Sequence, residues 1–180
     1  MEISDTIQVL TKIRRAIATW APRRGARPDA LVADMNDLYV ACTENRGLDE
    51  LFAYDEVGSP SLTLRIDIAA EFDLQRVIKN LRTRLRLPPP GSADEIGTAG
   101  IVWSCGRYDF VYDSGSDSLR ISHQYSHRRV DTMSVASIAR QMIDYAIGYL
   151  EEVQTSAQEG TGAPNTDEMR RAQKPGVDRP

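Results

Sequence analysis

Apolar residues recur every three or four positions from the start of the chain, at Ile3, Ile7, Leu10, Ile13, Ile17 and Trp20. That spacing puts them on one face of a helix. Ser4 and Asp5 supply its cap and first turn, and Pro22 stops it near residue 21. A second stripe of Leu31, Met35, Leu38 and Cys42, with Val32 and Tyr39 alongside, predicts a helix opening at Pro28-Asp29. Proline is tolerated in a first helical turn. Residues 38–42 also read as a strand. Beyond the break at Asn45-Arg46-Gly47, residues 48–54 are expected to add a short helical turn, and Gly58-Ser59-Pro60 a chain reversal.

The period then changes to two. Leu62, Leu64, Ile66 and Ile68 alternate with Thr63, Arg65 and Asp67, which predicts a strand with one apolar and one wet face. A helix follows over 71–85, its apolar face made by Leu74, Val77, Ile78, Leu81 and Leu85. Arg76, Lys79, Arg82 and Arg86 gather on the opposite flank as a basic stripe. Pro88-Pro89-Pro90-Gly91 ends it. Three short strands are predicted at 101–104, 107–112 and 118–123, joined by a tight turn at Cys105-Gly106 and a hairpin loop over 113–117. A last helix runs over 132–153 behind an Asp131 cap. Val135, Ala139, Met142, Ala146, Tyr149, Leu150 and Val153 form its apolar side, widened by Ile138 and Ile143.

Helix, helix, strand, helix, three strands, helix is the order of an α+β domain: a mostly antiparallel four-stranded sheet with helices largely on one face. Hairpins between the last strands argue against a doubly wound fold. The domain is expected to occupy residues 1–153. Residues 154–180, aromatic-free and holding Gly160-Thr161-Gly162-Ala163-Pro164, read as a disordered tail.

Composition narrows the class. With 180 residues, 41% hydrophobic and 27% charged, the chain suits one domain with a real core. No apolar run approaches the roughly 20 residues of a membrane helix, and the N-terminus lacks a basic-then-apolar leader. Two cysteines, Cys42 and Cys105, make no disulfide framework, so a cytoplasmic address is expected.

The net charge of -4 conceals blocks. Residues 12–27 carry six bases and no acid, 29–73 carry eleven acids and two bases, and 74–90 carry five bases and no acid. Arginine outnumbers lysine, 19 to 3, and its planar fork suits pairing with carboxylates or phosphates. The blocks pair within the fold or serve an outside partner.

No motif dictates a reaction. His123 and His127 stand four apart near a strand end, a spacing that unites side chains on a helix but not on a strand. No metal site and no cofactor are therefore expected. The 113–117 loop lacks the ligand spacing of a calcium loop. Gly97-Thr98-Ala99-Gly100 lacks the lysine of a phosphate loop, and no nucleophile elbow occurs. The aromatic face of Trp103, Tyr108, Phe110 and Tyr112 is expected to be mainly core, with its tyrosines as anchors if their strand is an edge. Ile138, Met142, Tyr145 and Tyr149 broaden the last helix beyond one sheet contact, so part of it is expected to meet another chain.

The leading expectation is a non-catalytic, bacterial protein-interaction module that binds another protein or a second copy of itself. In size and charge it is similar to the general type of bacterial secretion chaperones and immunity proteins. The expected contact residues are Arg76, Lys79, Arg82, Arg86, Tyr108, Tyr112 and Tyr149. An accessory nucleic-acid-binding subunit using the arginine stripe ranks second, because the chain is acidic and its bases are not interleaved with aromatics. A small enzyme with a carboxylate or histidine site ranks third.

Overall fold

The computed structural model describes residues 2–20, 27–43, 51–68, 76–77, 79–80, 83, 96–97, 100–113 and 116–161. Helix α1 spans Ile3–Thr19 and buries Val9, Leu10, Ile13 and Ile17, the face set out by its apolar spacing. It begins one residue before the expected cap. Glu2 holds the N-cap position without a side-chain bond, so Ser4 and Asp5 lie inside the first turn. Helix α2 spans Pro28–Thr43, which excludes the strand reading of 38–42. Leu31, Val32, Met35 and Tyr39 are its buried positions.

Six strands follow: β1 (Phe52–Asp55), β2 (Ser61–Asp67), β3 (Ile96–Gly97), β4 (Gly100–Cys105), β5 (Tyr108–Asp113) and β6 (Ser118–Gln124). They form one sheet in the order β1-β2-β6-β5-β4-β3, antiparallel at every pairing. The four expected strands are its interior, and β1 and β3 lie outside them. Residues 52–54 are therefore strand, not part of the helical turn expected over 48–54, whose residues 48–50 lie outside the described residues. Strand β1 pairs with β2 from Phe52↔Leu64 to Asp55↔Ser61, and the α2 side chain Asn36 completes it. Asn36 Nδ2 donates to the Phe52 carbonyl and Asn36 Oδ1 accepts from the Phe52 N–H, each at 2.9 Å. The amide thus occupies outward backbone groups that would otherwise invite another strand.

Gly106 adopts φ +62 in the β4–β5 turn, where a side chain would be strained. Asp117, at φ +47 before β6, is held there by two bonds. Its carbonyl accepts from Ile68 N at 2.6 Å and its carboxylate from the Tyr112 hydroxyl at 3.1 Å.

Helix α3 spans Thr132–Thr161 and is capped as expected by Asp131, whose carboxylate accepts from Ser134 N at 2.8 Å and Ser134 Oγ at 2.7 Å. It continues past the expected end near residue 153, and Ser156 on the added stretch is buried. Residues 162–180 lie outside the described residues. Helix α3 packs on β2 and β6, α2 packs on β1, and α1 lies against α3 and α2. The apolar side of α3 is broad because it serves the sheet and α1 at once. Arg14 of α1 pairs with Asp144 of α3 at 2.5 Å, a half-exposed bridge worth at most about 1 kcal/mol.

Candidate interaction surface

Alternation divides the sheet into two chemistries. On the helix-covered face, Phe52, Leu64, Ile121 and Phe110 stand in register across β1, β2, β6 and β5 and are all buried. Ile66, Leu119 and Tyr112 form the next row, and Tyr54, Leu62, His123 and Tyr108 the row nearest the β1–β2 turn. On the opposite face Arg65, Asp67, Arg120 and Gln124 are exposed, with Thr63, Ser122, Asp109 and Val111 half-exposed among them. Thr63 and Ser122 approach to 3.3 Å across the β2–β6 ladder, and Ser104 Oγ donates to Asp109 Oδ1 at 2.6 Å.

The expected contact residues divide along the same line. Tyr149 is 1% exposed and Tyr112 6%, so both are core residues and cannot anchor a partner. Tyr149 faces the interior one turn after Tyr145, whose ring meets Tyr108 and Phe110 of β5, so this side of α3 lies on the sheet. Met142, expected to mediate a dimer, is fully buried as well. Tyr112 and Tyr108 belong to β5, which has β6 on one side and β4 on the other, so neither stands on an edge. Tyr108 is half-buried. Arg76 and Lys79 are exposed helical residues and Val77 between them is buried, as the apolar spacing requires. Arg82 and Arg86 lie outside the described residues, as does the Trp103 side chain.

The charge blocks pair in part within the chain. Arg27 Nη2 reaches Glu56 at 2.8 Å and Asp29 at 3.3 Å, joining the first basic block to the acidic one. All three side chains are well exposed, so the links fix geometry more than stability.

The two histidines part company. His123 is 5% exposed, while His127 is exposed in the loop before α3. Among the described residues no group of three or more His, Cys, Asp or Glu could hold a metal ion. His123 belongs to an aromatic chain: Tyr125 and Tyr108 have ring centroids 4.8 Å from it, and Tyr108 meets Tyr145 of α3 at 5.2 Å. Tyr145 meets Phe110 at 5.4 Å, and Tyr54 meets Tyr125 at 6.5 Å. Sequence spacing did not signal this cluster, since its members come from β1, β5, β6, the loop after β6 and α3.

Burial, and then the nearby Arg107 cation, hold the His123 pKa below its ordinary value of 6.5. Burial, and then the bond to Asp117, push the Tyr112 hydroxyl up to about 12. For His123 the unfolded chain binds a proton near pH 6.5 that the native state takes up only at lower pH, so stability falls as pH drops through that window. The melting temperature is expected to decline on acidification from pH 7 toward 5, with a slope of at most about 1.4 kcal/mol per pH unit for one proton. A folded His123→Phe variant should show a flatter profile over that interval. An unchanged slope in that variant would assign the effect to other groups.

The described surface carries depressions. One, of about 410 Å³, lies at the end of β5 and β6 and is lined by Arg107, Asp109, Gln124, Tyr125 and Ser126 with Ser59 and Gly106. Another, of about 210 Å³, lies on the polar sheet face between Arg65, Arg120, Val111, Asp113, Ser116 and Ser118. Among the described residues no helix is long and apolar enough to cross a membrane. Comparison with known protein families, characterised proteins and solved structures finds no match to this chain.

Proposed function

We propose that the protein is a non-catalytic interaction module, working in the bacterial cytoplasm, that binds another protein through charged surface. The observation that carries this reading is the two-faced sheet. One face is committed to the helical core, and the other displays Arg65, Asp67, Arg120 and Gln124 in the open. A polar sheet face over a rigid core is a preformed contact surface that loses little entropy on binding. Arg76 and Lys79, on the helical stretch after β2, are exposed as well. The aromatic part of the expected surface drops out, because those rings hold the core together. The partner is another protein in preference to a second copy, since the apolar side of α3 is already covered.

Co-purification from the native host, read by mass spectrometry, tests the reading. A stoichiometric protein partner is expected, with association that slows and loses salt dependence when Arg76, Lys79, Arg82 and Arg86 are all replaced by Gln. Bound nucleic acid, seen as excess absorbance at 260 nm, would overturn it. So would a partner whose association rate and salt dependence are untouched by the quadruple variant and by Arg65→Gln with Arg120→Gln.

A further inference from the structure

We propose that the outward faces of α1 and α2 form a self-complementary surface through which two copies of this chain pair about a two-fold axis. This contact goes beyond the interaction-module reading. The apolar side of α3 is covered within one copy, so the second copy docks on different helices and leaves the polar sheet face of each free for another protein.

Helix α1 packs on α2 and α3 and on no described strand, so it is an outer layer on the helical side of the sheet. Its outward stripe carries Lys12 and Arg15, both exposed, with the exposed Ala16 beside them. Arg14, between them in sequence, is taken by Asp144 of α3. The outward stripe of α2 carries the exposed Asp34 and Asp37 among the exposed Ala33, Val40 and Ala41. Helix α2 contains no basic residue.

Residues three or four apart are neighbours on a helix surface, and like charges placed so repel. Each helix presents one such pair, cationic on α1 and anionic on α2. Neither finds relief in its own helix. No acid stands three or four residues from Lys12 or Arg15, and no base from Asp34 or Asp37. Among the described residues the side chains of Lys12, Arg15 and Asp37 make no hydrogen bond or ion pair. Asp34 accepts from the Trp20 indole N–H at 2.9 Å, which leaves lone pairs of its carboxylate open.

A second copy resolves both pairs together. A two-fold axis lays α1 of one copy on α2 of the other and repeats the contact, so cations meet carboxylates of the same spacing twice per dimer. A purely basic partner would satisfy α2 and leave α1 unmatched, and a purely acidic one the reverse. The alanines between the charges let helices approach closely. Helices of 17 and 16 residues are roughly 25 Å long, and side by side at about 10 Å they offer roughly 500 Å² per copy. The total of about 1,000 Å² is the lower end for a specific interface, so the dimer is reversible and depends on charge.

Sedimentation equilibrium of the full chain tests this. A monomer–dimer equilibrium is expected at about 10 mM salt and should weaken about tenfold at about 150 mM, as the Debye length falls from about 30 Å to about 8 Å. With a net charge of -4 the copies repel as wholes at low salt, so association strengthened there marks a matched local contact. Lys12→Glu with Arg15→Glu, and Asp34→Lys with Asp37→Lys, should each stay folded and weaken self-association at least about a hundredfold. An equimolar mixture of the two should regain wild-type affinity, because each α1 then faces an α2 of opposite sign in both contacts. Arg128→Glu with Arg129→Glu, a charge change of the same size at exposed positions before α3, should dimerise like the wild type.

A wild type that is monomeric at millimolar concentration in low salt would overturn the proposal, as would a dimer that both helix variants leave intact. A mixture no more associated than its components would show that α1 and α2 are not each other's partners. Equal weakening by the Arg128 and Arg129 variant would assign the association to net charge and likewise overturn it. None of these outcomes bears on another protein at the sheet face, so the two readings fail separately.

Discussion

Tyr149→Ala is expected to lower the unfolding free energy by about 3–5 kcal/mol, the range for removing a large buried aromatic. Tyr149 is among the largest fully buried side chains and sits on α3, the helix between the sheet and α1. Truncation would leave a void between α3 and the sheet, and neither can close it without losing its own contacts. Domains of this kind have only about 5–15 kcal/mol in total, so the variant should be partly unfolded at moderate temperature. Urea denaturation followed by circular dichroism measures the loss as a lower midpoint at unchanged slope. Tyr149→Glu should fail to fold at neutral pH, because it would bury a charge with no provision for one. A folded, wild-type-stable Tyr149→Glu monomer would instead restore the idea that this side of α3 is a dimer surface.

The second large effect is at Asn36. Asn36→Ala removes the donor to the Phe52 carbonyl and the acceptor for the Phe52 N–H together, both part-buried. Each backbone group left unsatisfied costs about 1–3 kcal/mol, so a loss of about 2–4 kcal/mol is expected, short of full additivity. The loss should concentrate in β1, as faster amide exchange of the Phe52 and Ala53 N–H groups relative to β6.

Asn36→Asp separates the two bonds. One oxygen can still accept from the Phe52 N–H, but at neutral pH the other faces the Phe52 carbonyl. The folded state then favours the protonated acid and raises its pKa above the unfolded value of about 3.9. Stability of this variant is therefore greatest below that value and falls as pH rises through the folded pKa. The gap to wild type should be small near pH 4 and wide at pH 7. A gap independent of pH would show that the amide does not pair with the Phe52 carbonyl in solution.

Much of the architecture was legible before any coordinates. The stripes Ile3 to Ile17 and Leu31 to Tyr39, the alternation Leu62 to Ile68 and the apolar side of α3 each name their element and its buried face. Their period is a local property, written in the spacing of side chains along one segment. The antiparallel α+β class follows from the order of these elements and the shortness of the turns between the last strands.

The tertiary structure decided whatever depends on which elements meet. Residues 52–55 are too few for a period to identify. They form a strand because β2 pairs with one edge and Asn36 with the other. Tyr112 and Tyr149 became core residues because α3 packs across the sheet face that carries Tyr112. That fact follows from how a helix packs on strands distant in sequence and has no signature in the spacing of either. The facing of Arg65 and Arg120, on strands separated by most of the sheet's sequence, likewise exists only once β6 is inserted beside β2 in one register. Periodicity tells each segment which side to bury; only packing determines what covers that side and which charges are left facing one another.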